Sequence, residues 1–146
     1  MIRSANEKDV DELAGLFNDY RIFYQKEPDI EGGKKFISER IANNESQIFV
    51  AEDEGVLVGF VQLYPLFSST RMKRLWLLND LFVVPAFRSK GISVALLDRC
   101  KELCHQTGSC GMILETAKDN IVANKLYKRT GFVPDNHHNY YEWEII

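Results

Sequence analysis

The stretch from Leu78 to Ser93 constrains the fold of this chain more than any other part of its sequence. It begins as an apolar run rich in Leu, Phe and Val, stops at Pro85, and continues through the basic loop Arg88-Ser89-Lys90-Gly91 before helical spacing resumes. Proline removes a hydrogen-bond donor from a strand, and glycine adopts backbone conformations that other residues avoid. The stretch therefore predicts a central strand, a tight turn and a helix in direct succession.

The start of that helix has the features of an anion-binding site. Free backbone N–H groups at a helix N-terminus lie at the positive end of the helix dipole. Arg88 and Lys90 add positive charge, and Gly91 would let a ligand approach the backbone closely. These groups suit a pyrophosphate, although Gly91 could equally serve only to ease the strand-to-helix turn. Neither a P-loop nor a G-x-G-x-x-G fingerprint is present, which argues against those two nucleotide sites.

The rest of the sequence predicts alternating helices and strands without a repeat or a linker. Besides the helix after Gly91, helical spacing and capping residues indicate helices over residues 6–24, 35–42 and 120–130. Residues 25–33, with Pro28 and two adjacent glycines, have the composition of a loop. Strands are predicted for residues 2–4, 47–52, 56–64, 74–84, 112–116 and 139–146, the second and third forming a hairpin. We therefore expect one α/β domain over residues 1–146.

Charge and cysteine content restrict the class of function. A net charge of −3 argues against a nucleic-acid binder. Residues 1–60 carry seven basic against thirteen acidic residues, whereas residues 61–146 are net positive. This asymmetry would suit a cationic ligand bound by the first half and an anionic ligand bound by the second, but charged residues on a solvated surface would explain it equally well. The three cysteines lack disulfide spacing, and no apolar run approaches bilayer length, so we expect a cytoplasmic protein without a membrane partner.

Two motifs in this order resemble the GNAT superfamily of N-acetyltransferases. The first is a hydrophobic strand, a proline and then Arg/Gln-x-x-Gly-x-Gly/Ala at the start of a helix, matched here by Leu81–Ser93. The second is Asn-x-x-Ala-x-x-Leu-Tyr-x-x-x-Gly-Phe, matched by residues 120–132. The resemblance extends across nearly the whole chain.

The resemblance implies a fold, a cofactor and a cofactor site. The fold is a mixed, largely antiparallel α/β sheet flanked by helices, which splays at one parallel strand pair to admit acetyl-coenzyme A. In such a site the backbone of Leu81, Phe82 and Val83 pairs with the pantetheine arm, while Asn120 and Ala123 line it. The residues that would wrap the pyrophosphate are Arg88, Ser89, Lys90, Gly91, Ile92 and Ser93, the last standing where the family has Gly or Ala.

The string Leu-Asn-Asp-Leu-Phe-Val at residues 78–83 is similar to the spermidine/spermine and related diamine acetyltransferases. That subgroup has Glu-Asp where this chain has Asn79-Asp80, so the usual acid for drawing a proton from the amine is missing at Asn79. Asp80 is then the predicted base or cation-binding group, with Glu115 as the second candidate; both could also be ordinary strand carboxylates. By the same resemblance, Tyr127 would protonate the departing thiolate.

The acceptor pocket is predicted beside Asn79, with Tyr20 and Tyr24 as its walls, although packing in the core would explain both tyrosines as well. The resulting prediction is a homodimeric N-acetyltransferase that acetylates a small cationic amine. Two alternatives are a protein or peptide N-acetyltransferase and a non-catalytic acyl-coenzyme A sensor on the same fold. No metal is expected, since Cys100, Cys104 and the adjacent His105 offer too few convergent ligands.

Overall fold

Nine helices and strands build the chain in the computed structural model, which describes residues 1–146. The strands are β1 (Ile2–Ser4), β2 (Gln47–Asp53), β3 (Val56–Ser68), β4 (Lys73–Val83) and β5 (Met112–Ile113). The helices are α1 (Val10–Phe23), α2 (Ile30–Ala42), α3 (Ile92–Gln106) and α4 (Ile121–Arg129). Short 3₁₀ turns, Glu7–Asp9 and Pro85–Phe87, precede α1 and follow β4.

The chain divides into two units, Met1–Glu115 and Thr116–Ile146. The first contains the five strands with α1, α2 and α3, and the second contains α4 and the residues after it. None of the helices is both long enough and apolar enough to cross a membrane.

The five strands form one sheet in the order β1-β2-β3-β4-β5. Neighbouring strands from β1 to β4 are antiparallel, whereas β4 and β5 are parallel. The parallel pairing covers only Trp76 with Met112 and Leu77 with Ile113, so β4 runs on beyond its partner. The mixed, largely antiparallel sheet that splays at a parallel pair is thereby confirmed.

One face of the sheet carries α1 and α2, and the other carries α3. Leu13, Leu16 and Phe17 of α1 pack with Ile37 of α2 into a buried cluster; the strand residues of this cluster are Ile48, Val50, Leu57, Phe60 and Phe82. Alternate residues of a strand point to opposite faces. Accordingly Phe49 lies under Arg99 of α3, whose buried side carries Leu96, Leu97, Cys100, Leu103 and Cys104.

The start of α2 differs from the prediction, which treated residues 30–33 as loop. The Asp29 side chain accepts a hydrogen bond from the Gly32 backbone at 2.9 Å and so caps the helix five residues earlier than expected. Gly33 is buried, and a Cβ there would approach the Phe17 ring to 3.2 Å. Gly33 therefore marks the close approach of α2 to α1, whereas a Cβ on Gly32 would collide with the capping side chain of Asp29.

The C-terminal part of the chain also departs from the prediction. The strand expected over 112–116 is limited to Met112–Ile113, and the strand expected over 139–146 is wrong for this structure, in which those residues form no strand. An alternating apolar pattern alone does not form a strand, because the backbone groups need a neighbouring strand to bond.

Candidate active site

A β-bulge in β4 determines the orientation of the predicted acid. Asp80 lies opposite Gln62 of β3 and Leu78 lies opposite Leu63, so Asn79 is an extra residue without a partner in β3. In a regular strand the side chains of Leu78 and Asp80 would point to the same face of the sheet. With the bulge they point to opposite faces, and both residues are buried. Asp80 thereby joins the face that carries α1.

The Asp80 carboxylate is held by hydrogen bonds in a nearly closed environment, with 3% of the residue exposed. Gln62 Nε2 donates to Oδ2 at 2.5 Å, and Asn79 Nδ2 donates to Oδ1 at 3.0 Å. Burial raises the pKa of the Asp80 carboxyl, while hydrogen bonds from Gln62, Tyr20 and Asn79 oppose that rise. Such a group accepts a proton more readily than a solvated aspartate does.

The sequence reasoning missed three residues that act on Asp80. Gln62 and Ser46 act through hydrogen bonds, and Tyr64 interacts with the Asp80 charge. The Ser46 hydroxyl donates to Gln62 Oε1 at 2.8 Å, which orients the Gln62 amide so that its NH₂ faces Asp80. Burial and the nearby Asp80 charge raise the pKa of Tyr64 to about 12, so its hydroxyl keeps its proton. One sequence signal was available: Gln62 interrupts the apolar run from Val56 to Leu63 and so marks a buried polar group.

Tyr20 connects α1 to the bulge. Its hydroxyl donates to the Asn79 carbonyl oxygen at 3.2 Å and also hydrogen-bonds Asp80. Its ring lies 5.0 Å from the Tyr24 ring, which is partly exposed, and within 6.4 Å of three other rings, those of Phe17, Phe60 and Phe82. The structure thus brings Tyr20, Asn79 and Asp80 together, with Tyr24 beside them.

Glu115, the second candidate acid, lies two residues after Ile113, the last paired residue of β5. It is exposed, and no hydrogen bond or ion pair connects it to the Asp80 network. Its position at the end of β5 is where the two parallel strands part. The structure therefore favours Asp80 over Glu115 as the buried, oriented carboxylate of Met1–Glu115.

The end of β4 presents backbone rather than side chains. The Phe82 side chain belongs to the buried cluster. β5 pairs with β4 only as far as Leu77, so the backbone edge of Leu81–Val83 that faces away from β3 extends beyond this pairing. Arg88 Nε donates to the Val83 carbonyl at 2.9 Å, and its guanidinium lies 5.5 Å from the centre of the Phe82 ring. An extended ligand could bond this edge as a further strand would.

The loop after β4 presents the amides of α3. Ser89 and Gly91 have φ of 61° and 82°, and Gly91 occupies the N-cap position, where no side chain caps the helix. A Cβ on Gly91 would meet no atom within 4 Å, so the space in front of this turn is open. With no acid in the first turn and with Lys90 beside it, the amides of Ile92 and Ser93 suit a pyrophosphate.

The second unit holds the other motif. Asn120 Oδ1 accepts from the Ala123 backbone at 3.2 Å and caps α4, as predicted. The Tyr127 ring is half-buried and packs edge-to-face against Phe132 at 5.5 Å. Gly131, with φ of 97°, ends the helix. Asn120, Tyr127, Gly131 and Phe132 therefore each have a structural role within Thr116–Ile146.

Comparisons with known proteins identify the family. Residues 12–132 match the profile of the acetyltransferase (GNAT) family. The chain is 44% identical to an uncharacterized N-acetyltransferase, YhfO, of Bacillus subtilis over 134 residues, which cover 92% of this chain and 90% of the relative. It is 34% identical to a "probable acetyltransferase" of Haemophilus influenzae over 79% of this chain and 80% of the relative.

Solved structures extend the likeness to three dimensions. The crystal structure of a "probable acetyltransferase" has a TM-score of 0.94 and 37% identity, covering 100% of this chain and 98% of that one. The fold is also shared, at a TM-score of 0.82 and 21% identity, by AAC(6')-Iy in complex with a bisubstrate analogue of coenzyme A, over 99% of this chain and 98% of that one. These matches favour an enzyme over a non-catalytic sensor. The chain belongs to the GNAT family and is an N-acetyltransferase that uses acetyl-coenzyme A as its acetyl donor.

Proposed function

We propose that this enzyme is a single-domain, cytoplasmic homodimer that acetylates a small cationic amine of the diamine or polyamine type. The observation that carries the proposal is the buried Asp80 carboxylate, which Gln62 and Asn79 orient and which Tyr20 connects to the aromatic surface of α1. A buried carboxylate next to aromatic rings attracts a cation and can also take a proton from it.

The surroundings of this carboxylate support a cationic acceptor. Residues 1–60, which include α1 and α2, carry thirteen acidic against seven basic residues, so the field on this side favours a positive ligand. Tyr24 exposes part of its ring beside Tyr20. The Phe23 ring lies 5.2 Å from the Tyr24 ring, but the Arg88 guanidinium lies 5.9 Å from the Phe23 ring and would repel a cationic acceptor there.

The proposed reaction uses the chain's own groups at three points. Asp80 receives the proton of the ammonium through the Tyr20 hydroxyl or a water, which leaves a neutral amine able to attack. A backbone N–H near Val83 stabilises the charge that develops on the acyl oxygen. Tyr127 donates a proton to the leaving sulfur. Acetyl-coenzyme A, held along Leu81–Val83, Arg88–Ser93, Asn120 and Ala123, supplies the activated acetyl group.

A panel of acceptors tests the substrate class. With acetyl-coenzyme A saturating, we expect kcat/KM for spermidine and short diamines to exceed that for neutral amines of similar size by about 5- to 30-fold, because binding a cation beside Asp80 contributes on the order of 1–2 kcal/mol. Release of the coenzyme A thiol provides the readout, and basic peptides complete the panel. Faster turnover of neutral or anionic amines would contradict the proposal, and a preference for basic peptides would identify a protein acetyltransferase.

Reversing the charge of Arg88 tests the cofactor site. We expect Arg88→Glu to weaken acetyl-coenzyme A binding by about 10- to 100-fold, because it replaces a phosphate partner with a negative charge at a helix N-terminus. Calorimetric titration measures the affinity. Lys73→Glu, the same charge change at the opposite end of β4, is the matched control and should bind normally. Equal affinities in the two folded variants would remove Arg88 from the proposed site.

A further inference from the structure

A cavity of about 640 Å³ lies on the face of the sheet opposite Asp80. Trp76 lines it, and the Trp76 indole N–H donates to the Thr107 hydroxyl at the C-terminal end of α3 at 3.0 Å, so this face is the one that carries α3. Small-molecule sites commonly have volumes of about 300–1,000 Å³. Ser46 is the one lining residue that also belongs to the Asp80 network, and its hydroxyl is bonded to Gln62.

The aromatic part of the cavity lining comes from the β3–β4 hairpin. Pro65 pairs with Trp76, and Phe67 pairs with Arg74. Residues that pair across two strands share a face of the sheet, and so do alternate residues of one strand. These four side chains therefore lie next to one another on the face that carries α3, and all four line the cavity.

Arg74 is the only charged residue in the lining. Its guanidinium lies 5.1 Å from the centre of the Phe67 ring and 5.5 Å from that of the Trp76 ring, within the range of cation–π contacts. No protein group accepts a hydrogen bond from this guanidinium and no carboxylate pairs with it, so its five N–H donors are free. Glu45, the acid next to the lining in sequence, is instead paired with Arg40 at 3.3 Å.

The indole beside Arg74 is held in a fixed position. Trp76 is 7% exposed, its N–H donates to Thr107, and the Thr107 hydroxyl in turn donates to the Leu103 carbonyl at 2.8 Å. Because the donors of both side chains are already bonded within the protein, the indole offers a ligand its apolar surface and no hydrogen bond. The free polar groups of the lining are the guanidinium of Arg74 and the side-chain amides of Asn44 and Gln47.

We propose that this cavity, the Arg74 site, binds a small organic anion with a flat apolar body, namely an aromatic carboxylate. The carboxylate accepts two parallel hydrogen bonds from the Arg74 guanidinium, and the ring packs against Trp76 and Pro65. One cation balances one negative charge, which favours a carboxylate over a phosphate dianion. The same cation repels an amine, so the Arg74 site is separate from the acceptor site and independent of the proposed function.

NMR of the full ¹⁵N-labelled chain tests the Arg74 site with indole-3-acetate as the probe, while saturating coenzyme A occupies the cofactor site. The chain has two tryptophans, and the spectrum of Trp143→Phe assigns their indole N–H signals. We expect the Trp76 signal to shift saturably, and neutral indole-3-acetamide to bind at least about tenfold more weakly, because it lacks the charge-assisted hydrogen bonds. A Trp76 signal that does not move, or equal affinity for the neutral amide, would overturn the proposal.

Removing the charge of Arg74 or of its neighbour locates the bound anion. Arg74→Gln should weaken indole-3-acetate binding by about 10- to 100-fold, whereas Lys73→Gln, which removes the same charge on the opposite face of β4, should change it by less than about twofold. Arg74→Lys should bind with intermediate affinity, since lysine keeps the charge but not the planar fork, and it replaces Arg74→Gln if melting temperatures show that variant to be unfolded. Unchanged affinity in the folded Arg74 variant, or an equal loss in Lys73→Gln, would refute the Arg74 site and leave the acceptor preference untouched.

Discussion

Replacing Tyr127 with phenylalanine is expected to lower the turnover number by about 10²-fold or more, if proton transfer limits the rate, while acetyl-coenzyme A affinity stays nearly unchanged. The leaving thiolate has a conjugate acid with a pKa of about 8.5, judged from cysteine, and a tyrosine with a pKa of about 10 can protonate it within hydrogen-bond reach. Phenylalanine keeps the ring that packs on Phe132 and removes only the donor. Steady-state rates at saturating donor provide the measurement.

The competing explanation for Tyr127 is structural, because its side chain takes part in the packing of α4 with the residues that follow it. That explanation predicts a lower melting temperature with an unchanged turnover number. Tyr141→Phe, which removes a hydroxyl outside the proposed site, is the control and should leave both quantities unchanged. A full turnover number in a folded Tyr127→Phe enzyme would mean that another group or water protonates the sulfur.

Replacing Asp80 with asparagine is expected to lower kcat/KM for the cationic acceptor by about 10²- to 10⁴-fold, the usual contribution of a general base. An amide oxygen can still accept the Gln62 hydrogen bond, and Asn79, which is exposed, can turn its amide to solvent. The fold should therefore survive. Glu115→Gln is the matched control. A larger loss of kcat/KM in Glu115→Gln than in Asp80→Asn would identify Glu115, and not Asp80, as the general base.

The pH profile distinguishes a base from a structural carboxylate. Burial raises the pKa of Asp80, so the acid limb of kcat/KM should lie at higher pH than a solvated aspartate would give. Gln62→Leu removes a hydrogen bond that lowers this pKa and should move the limb to still higher pH. A limb that does not move in Gln62→Leu would show that Asp80 is not the group that titrates.

Stability should change with pH in the direction opposite to that of a salt-bridged acid. Because the folded-state pKa of Asp80 is raised, the folded state binds the proton more tightly than the unfolded state does. Its ionisation therefore costs stability as pH rises from about 4, the pKa of an unfolded aspartate, through the folded-state pKa. Asp80→Asn removes the free-energy cost of ionising a buried carboxyl, so the variant should not lose stability for this reason at neutral pH. A loss of its activity at that pH would then reflect the missing base rather than unfolding.

Local patterns predicted most of the elements. The apolar run ended by Pro85, the glycine at the start of α3 and the Asn120 cap of α4 are local signals, and each has the predicted structural effect. Turn residues likewise placed the β2–β3 hairpin, where Glu54 and Gly55 have positive φ. Backbone conformation and capping depend on a few neighbouring residues, so a single sequence contains the information.

The orientation of the candidate base depended on strand register instead. Asn79 is extra with respect to β3, and only the observed pairing shows that Asp80 therefore turns toward Gln62 and Tyr20. The partnership of Ser46 with Gln62 spans 16 residues, and that of Tyr20 with Asn79 spans 59. Hydrogen bonds over such separations follow from packing, which no local pattern specifies.

By itself, the sequence determined the family, the donor, the order of the elements from β1 to α4 and the turn that presents the amides of α3, because motifs and caps act within a few residues. Tertiary structure alone decided that Asp80 is buried and oriented, that Glu115 stays exposed, and that residues 139–146 form no strand in a single chain. The physical reason is the same in all three cases. Burial of a side chain and formation of a strand both depend on contacts with residues that are distant in sequence. Those contacts exist only once the chain has folded.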